Sequence, residues 1–327
     1  MITRRTFGMA LGLGAAAATM TTTPAAAKVP FGPVRQIHAG GLDIGYVEVG
    51  PAHGRPAVLL HGWPYDIHSY ADVAPMLAEH GYRVIVPHLR GHGTTRFLAD
   101  DAFRNAQQSV FALDILALMD ALGIDKAVLA GYDWGTRTAD IIAALWPHRV
   151  HALVSTTGYL ITNRDNNKTP LAPSAEWAWW YQYYFATERG RLGLREHARD
   201  LAKLVWTFNS PTWRFDDRTL DRTAASFANP DYVDIVVHNY RWRLGLADGD
   251  PRYDDLENRL AARPTIAVPT ITVDAEVDPF TPAGDGTGYR DRFTGPYGHR
   301  KFPGTGHNVP QEAPRAFVRA LLDADHL

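Results

Sequence analysis

The chain reads as an α/β protein: a mostly parallel sheet with helices on both faces, interrupted by one helical insertion. Three observations support this. Short apolar runs alternate with segments of helical period from about residue 55 to 157, the order expected of parallel strands joined by crossover helices. The alternation then stops, and no strand pattern is visible between about Gly158 and Arg263, a stretch holding six of the nine tryptophans. From Pro264 the strand–helix order resumes to the C-terminus. The expected division is a leader over 1–27, a core from 28–157 and 263–327, and a helical cap over 158–262.

The elements follow in order. Val34–Ala39 and Leu42–Val49 alternate as strands around Gly40-Gly41, a hairpin signal. Ala57–His61 is short and apolar, suited to the interior of a parallel sheet. A helix is expected over about Tyr70–His80, with Val73 and Leu77 on one face, and a strand over Tyr82–Pro87. In Gln107–Leu122 the residues Val110, Leu113, Leu116, Leu118 and Leu122 fall close to a 3.6 period, predicting a helix. Ala127–Ala130 predicts a strand, Thr136–Leu145 a helix and Val150–Thr156 a strand. After the insertion come strands at Val268–Val273 and His299–Phe302 and a last helix over about Ala313–Leu322.

Composition narrows the function classes. A 46% hydrophobic and 21% charged chain of 327 residues is ordinary for a globular protein. The formal net charge of -2 gives no reason to expect nucleic acid or an anionic membrane as partner. There is no cysteine, which removes disulfides, thiolate metal sites and cysteine nucleophiles together. The 14 histidines show no metal-ligand spacing, so neither metal nor cofactor is expected.

The most informative motif is Gly131-Tyr132-Asp133-Trp134-Gly135, placed between a predicted strand and a predicted helix. Gly-x-nucleophile-x-Gly on a strand-to-helix turn exposes its central side chain, and Asp133 holds the place usually filled by serine. A serine would acylate. A carboxylate attacks saturated carbon and becomes an alkyl ester, which water must then cleave. The chemistry therefore points to an epoxide or alkyl halide rather than an ester or amide. Asp278 follows a predicted strand, where sites form in open α/β sheets, with Asp274 and Glu276 as nearby rivals. His307 lies in the Gly-rich run Pro303-Gly-Thr-Gly-His307. Nucleophile, acid and histidine occur in the order known for hydrolases with this turn. The backbone of His61-Gly-Trp63-Pro is expected to supply one oxyanion donor at Trp63, and Trp134 the other. His61 and Arg90 are expected to be structural.

These residues resemble the α/β-hydrolases of the epoxide hydrolase–haloalkane dehalogenase group, most of all the soluble epoxide hydrolases. The similarity runs from His61-Gly-Trp-Pro through Gly81-Tyr-Arg-Val to Arg90-Gly-His-Gly93, and from Gly131-Tyr-Asp-Trp-Gly135 to Trp146-Pro-His-Arg-Val150. The resemblance implies a helical cap that supplies two tyrosines to protonate the epoxide oxygen. Tyr181-Gln-Tyr-Tyr-Phe185 is similar to the first tyrosine segment and Asn239-Tyr240-Arg241 to the second. Tyr181 and Tyr240 match, with Tyr183 and Tyr184 as rivals of the first. The implied function is hydrolysis of a small apolar or aromatic epoxide to a vicinal diol. The alternatives are a hydrolytic dehalogenase that cradles a halide on the indoles of Trp134 and Trp63, and a catalytically idle binding protein. Arg137 resembles a carboxylate-binding arginine of fluoroacetate dehalogenases. Those enzymes' second arginine falls at Trp134, and their fluoride-binding pair near Gln182-Tyr183. Substrate-binding candidates are accordingly Trp63, Trp134, Arg137 and Tyr183. The oligomeric state, a homodimer included, is open.

Thr3-Arg4-Arg5-Thr6-Phe7 is similar to a twin-arginine export signal, followed by a weakly apolar run and Ala25-Ala26-Ala27 as cleavage site. The expectation is a periplasmic or extracellular protein. Mature protein from the producing cell should begin near Lys28, and replacing Arg4-Arg5 by Lys-Lys should keep it in the cytoplasm. Fractionation followed by N-terminal sequencing checks both, and unimpaired export of the Lys-Lys form would contradict the expectation.

Overall fold

In the computed structural model the described residues are 31–281 and 283–327. The expected leader lies outside them. Strands β1 (Val34–Ala39), β2 (Leu42–Val49), β3 (Arg55–Leu60), β4 (Tyr82–Pro87), β5 (Arg96–Phe97), β6 (Ala127–Gly131), β7 (Val150–Thr156), β8 (Thr270–Ala275) and β9 (Tyr297–Phe302) form one sheet. The order is β1-β2-β4-β3-β6-β7-β8-β9, with β5 beside β2. β1 and β2 pair antiparallel, as do β2 and β4, and everything from β4 to β9 is parallel. The central β6 is buried along its whole length, as an uninterrupted apolar run predicts.

Helices cover both faces. On one lie α1 (Val73–Glu79) and, from the chain's end, a helix over Pro314–Ala324; on the other lie α2 (Gln108–Ala121) and α3 (Trp134–Leu145). Among the described residues no strand lies between β7 and β8. That segment folds as α4 (Pro173–Ala178), α5 (Trp180–Phe185), α6 (Glu188–Asn209), α7 (Asp217–Ala224), α8 (Tyr232–Arg243) and α9 (Asp254–Ala261). Short α10 (Val309–Glu312) precedes α11 (Pro314–Ala324). α5, α6 and α8 pack on one another, whereas α9 docks on α2, where Glu257 accepts from Gln107, Gln108 and Ser109. The insertion's last helix thus belongs to the core's surface.

Several boundaries differ from the sequence reading for local reasons. β8 starts at Thr270 because Pro269 has no N–H to give to the ladder. The helix expected from Tyr70 begins at Val73, since Asp66 caps a separate short turn over Ile67–Tyr70. The two-residue β5 carries too little pattern to be visible.

The loops after β3 and β4 meet through buried histidines. His61 sits between the Gly62 carbonyl, on Nδ1, and the Leu89 amide, which donates to Nε2. Its ring packs 5.0 Å from that of His92. Arg90 grips Asp114 through Nε and Nη2 and donates to the Asn105 carbonyl. Burial lowers the titration of His61, with the charge of His92 adding to it, and brings His88 and His92 down to about 4.

All three are therefore neutral in the folded protein while the unfolded chain protonates near pH 6.5. A depressed folded value means stability present above the unfolded pKa and lost as pH falls towards the folded one. Stability should fall from about pH 6.5 to about pH 5, above the range of ordinary carboxylates, by up to about 1.4 kcal/mol per pH unit for each histidine. Chemical denaturation across that window checks this, and a flat profile would refute it.

Candidate active site

The turn from β6 into α3 places Asp133 at φ 54°, ψ -123°, a conformation that L residues rarely adopt. Such strain costs on the order of 1–3 kcal/mol and persists only where the surroundings enforce it. Here they leave no room for anything else. A Cβ on Gly135 would lie 1.9 Å from the Leu60 carbonyl oxygen, and one on Gly131 would lie 2.3 Å from the Gly135 carbonyl carbon. Gly62 is pressed against Asp133: its Cβ would come within 2.4 Å of both Cβ and Oδ1 of that residue. That closeness lets the next amide, Trp63 N–H, donate to Asp133 Oδ1 at 2.8 Å.

His307 reaches the other carboxylate oxygen. Its Nε2 is 3.6 Å from Asp133 Oδ2, and its Nδ1 is 2.7 Å from Asp278 Oδ2. Asp278 Oδ1 accepts from the Phe280 amide, which fixes the carboxylate plane. The rivals point elsewhere: Asp274 accepts from Tyr289 and Gly284, and exposed Glu276 from Gly304. Burial alone would lower the His307 titration, but Asp278's charge, then Asp133, raise it to about 10. Asp133 is pulled below the usual carboxylate range: burial opposes this, and His307, the Trp63 amide and the charge of Arg137 outweigh it.

The helical segment closes over this set. Tyr181 and Tyr240 are 3% and 1% exposed, their ring centroids 5.4 Å apart, and both pack on Trp63. Neither hydroxyl is committed to a carboxylate or a backbone carbonyl. Burial raises both phenols, with Asp133's charge contributing, so both remain protonated. Tyr183, expected as a substrate-binding candidate, is 46% exposed and its hydroxyl binds Glu176, because α5 turns that face outward. Tyr184 turns towards α6, its hydroxyl over Gly193.

The two tryptophans divide. The Trp63 indole donates to Tyr232 Oη at 2.9 Å, so it is not free to hold a leaving group. The buried Trp134 indole N–H has no partner among the described residues. The Trp134 amide, expected as a second oxyanion donor, makes no hydrogen bond to the Asp133 carboxylate in this unreacted state. Arg137, buried on α3, lines a cavity of about 290 Å³ together with Asp133, His307, Trp179 and Phe280. Among the described residues no group of histidines and carboxylates could hold a metal ion, and no helix is long and apolar enough to cross a membrane.

Residues that the sequence did not single out hold the histidine. The His307 amide donates to Asn209 O, at the end of α6. Glu312 accepts from Gly306, Asn308 and the Ser210 hydroxyl. A glutamate five residues past His307 was the available signal, but nothing in the chain pairs it with residues a hundred positions away.

Gly62→Ala should fold yet lose activity, since the new methyl must push Asp133 off the Trp63 amide. A displacement near 1 Å is worth about 10²-fold in rate. Turnover compared with circular dichroism of the same sample checks this, and wild-type rates would show that the carboxylate position does not matter.

Comparison with known proteins gives the family and the fold. Residues 56–314 match the model of a family described as the alpha/beta hydrolase fold. A crystal structure from Klebsiella pneumoniae, provisionally named an epoxide hydrolase, shares 56% identity over 91% of this chain and 99% of its own, with a TM-score of 0.89. Epoxide hydrolase A of Mycobacterium tuberculosis is 24% identical over 88% of this chain and 96% of its own length. Epoxide hydrolase 2 of Siraitia grosvenorii is 34% identical over 133 residues, so the similarity spans only 40% of either protein. The chain belongs to the alpha/beta hydrolase family.

Proposed function

We propose that the protein hydrolyses an epoxide to a vicinal diol through an alkyl ester on Asp133. The observation that carries this reading is the placement of His307 between Asp133 and Asp278 beneath two protonated, uncommitted phenols. Asp133 Oδ2 attacks an epoxide carbon, the C–O bond breaks, and the leaving oxygen takes a proton from Tyr181 or Tyr240. A bromide or chloride would take none.

Esterification then changes His307. In the free enzyme two carboxylates hold its proton; once Asp133 is an ester, one of those charges is gone and the imidazole's affinity for protons falls. The proton it gives up balances the one gained by the alkoxide. The neutral ring, oriented by Asp278, draws a proton from water, and the hydroxide adds to the ester carbon. The oxyanion forms on Oδ1, where the Trp63 amide already donates. Collapse releases the diol and restores the carboxylate.

Hydrolytic dehalogenation would use the same three residues, and one observation favours it: the unpaired Trp134 indole N–H. The engagement of Trp63 by Tyr232 leaves that donor without the second indole a halide cradle needs.

In His307→Gln, substrate should alkylate Asp133 and stay there, giving a stable adduct by intact-mass spectrometry. Tyr181→Phe and Tyr240→Phe should slow epoxide opening, and the double variant should lose about 10²–10⁴-fold. A bromoalkane should be opened at nearly unchanged rate by the same variants. Rapid-quench measurement on both substrates decides between the readings, and equal small effects of the tyrosine changes would favour the dehalogenase.

A further inference from the structure

Three non-glycine residues among those described adopt left-handed φ: Asp133 at 54°, Thr157 at 70° and Arg263 at 53°. All three line the same cavity of about 290 Å³. Strained backbone persists where the surroundings enforce it, and it gathers at binding sites. Asp133 is explained by its role as nucleophile. Thr157 and Arg263, in the wall of the same cavity, ask for a second reason.

That wall is cationic. Arg137, Arg243 and Arg263 all face the cavity. Arg137 is 7% exposed, and the one hydrogen bond it donates runs from Nε to the Leu160 carbonyl at 3.3 Å. The Nε of Arg243 is buried without a partner, and its guanidinium lies 5.5 Å from the Trp179 ring. The Arg263 guanidinium lies over Tyr159 at 5.5 Å. None of the three forms an ion pair among the described residues, and residues 1–30 and 282 contain no Asp or Glu. Arg243 and Arg263 are half-buried; the other fully buried arginine among the described residues, Arg90, has Asp114.

Nearby acids do not neutralise this wall. Asp140, one turn along α3 from Arg137, accepts from the Leu160 amide and is pushed by burial up to about 8, so it is largely protonated at neutral pH. Asp133 is taken by the Trp63 amide and His307. Burial, and then the charge of Arg243, bring Arg137 down to about 10. Buried charges are as a rule paired. Planar guanidiniums without a carboxylate, in the cavity of the nucleophile, are a receptor for one.

Resting on the epoxide reading above, we propose that the substrate carries an acid group. Its carboxylate binds Arg137 and Arg243, with Arg263 at the edge of the same cavity, and this places the epoxide on Asp133. The apolar substrate expected from the aromatic composition of the helical segment is thereby replaced by an anionic one. Aromatic rings pack around Tyr181, while the cavity beside the nucleophile is lined by cations.

The test compares 3-phenylglycidate with 3-phenylglycidamide, which differ only in the charge of one group. The wild-type protein should favour the acid in kcat/KM by roughly 10- to 100-fold, the worth of a charge-assisted contact. Arg243→Gln and Arg137→Gln should each bring the ratio towards one, and added salt should slow only the acid. Equal rates on acid and amide, or a preference that survives both substitutions, would overturn the proposal. Binding of phenylacetate and phenylacetamide by calorimetry keeps the two readings separable. If neither epoxide yields diol but phenylacetate binds, and binds at least about tenfold more weakly to Arg243→Gln, the acid site stands and the epoxide reading falls. Indistinguishable binding of phenylacetate and the amide would sink the acid site whatever the enzyme does with epoxides.

Discussion

The site depends on one strained residue. Asp133 keeps a positive φ between β6 and α3, and nothing in an aspartate favours that conformation. It is imposed by the approach of the β3 and β6 ends, where Gly131 and Gly135 allow α3 to start against the Leu60 carbonyl. The approach is held by β6, buried along its whole length, and by the buried C-terminal part of β3. In consequence the carboxylate stands clear of its own helix, one oxygen towards the Trp63 amide and the other towards His307.

Electrostatics then sorts the surrounding groups by role. His307 is raised by two carboxylates, and Asp133 is lowered by the same histidine and by Arg137. The phenols of Tyr181 and Tyr240 are held protonated, and the histidines behind the loops are held neutral. The positive and negative groups nearest Asp133 differ in what binds them. Each acid has a donor in the protein, whereas no arginine of the wall has a carboxylate partner among the described residues.

Much of this was legible in the chain, and the reasons differ by residue. The elbow was visible because its steric demands fall on neighbours in sequence, Gly131 and Gly135. β2 and β4 were placed to the residue because their runs end at Gly50 and Pro87. Asp278 could be ranked only by loop position; its geometry against His307, and the diversion of Asp274 to Tyr289, are tertiary facts. Tyr181 could not be told from Tyr183 in a run of aromatics, because a helix one and a half turns long has no clear period. Arg243 and Arg263 were invisible as a pair with Arg137. Each is an ordinary arginine in sequence, and only the absence of an ion pair to any of them among the described residues, in one shared cavity, gives them meaning.

The anchoring of the His307 loop ties two parts of the chain that are distant in sequence. Asn209 O receives the His307 amide, and Ser210 is bonded to Glu312. A Cβ on Gly306 would collide with Ser210 Cα at 2.5 Å. The helical segment is therefore not an interchangeable module laid over a finished machine. A chimera that imports a relative's helices across residue 209 would inherit a mismatched seat for His307, unless residues 304–312 came from the same parent. Laboratory recombination of such proteins should place crossovers so that these two stretches are inherited together.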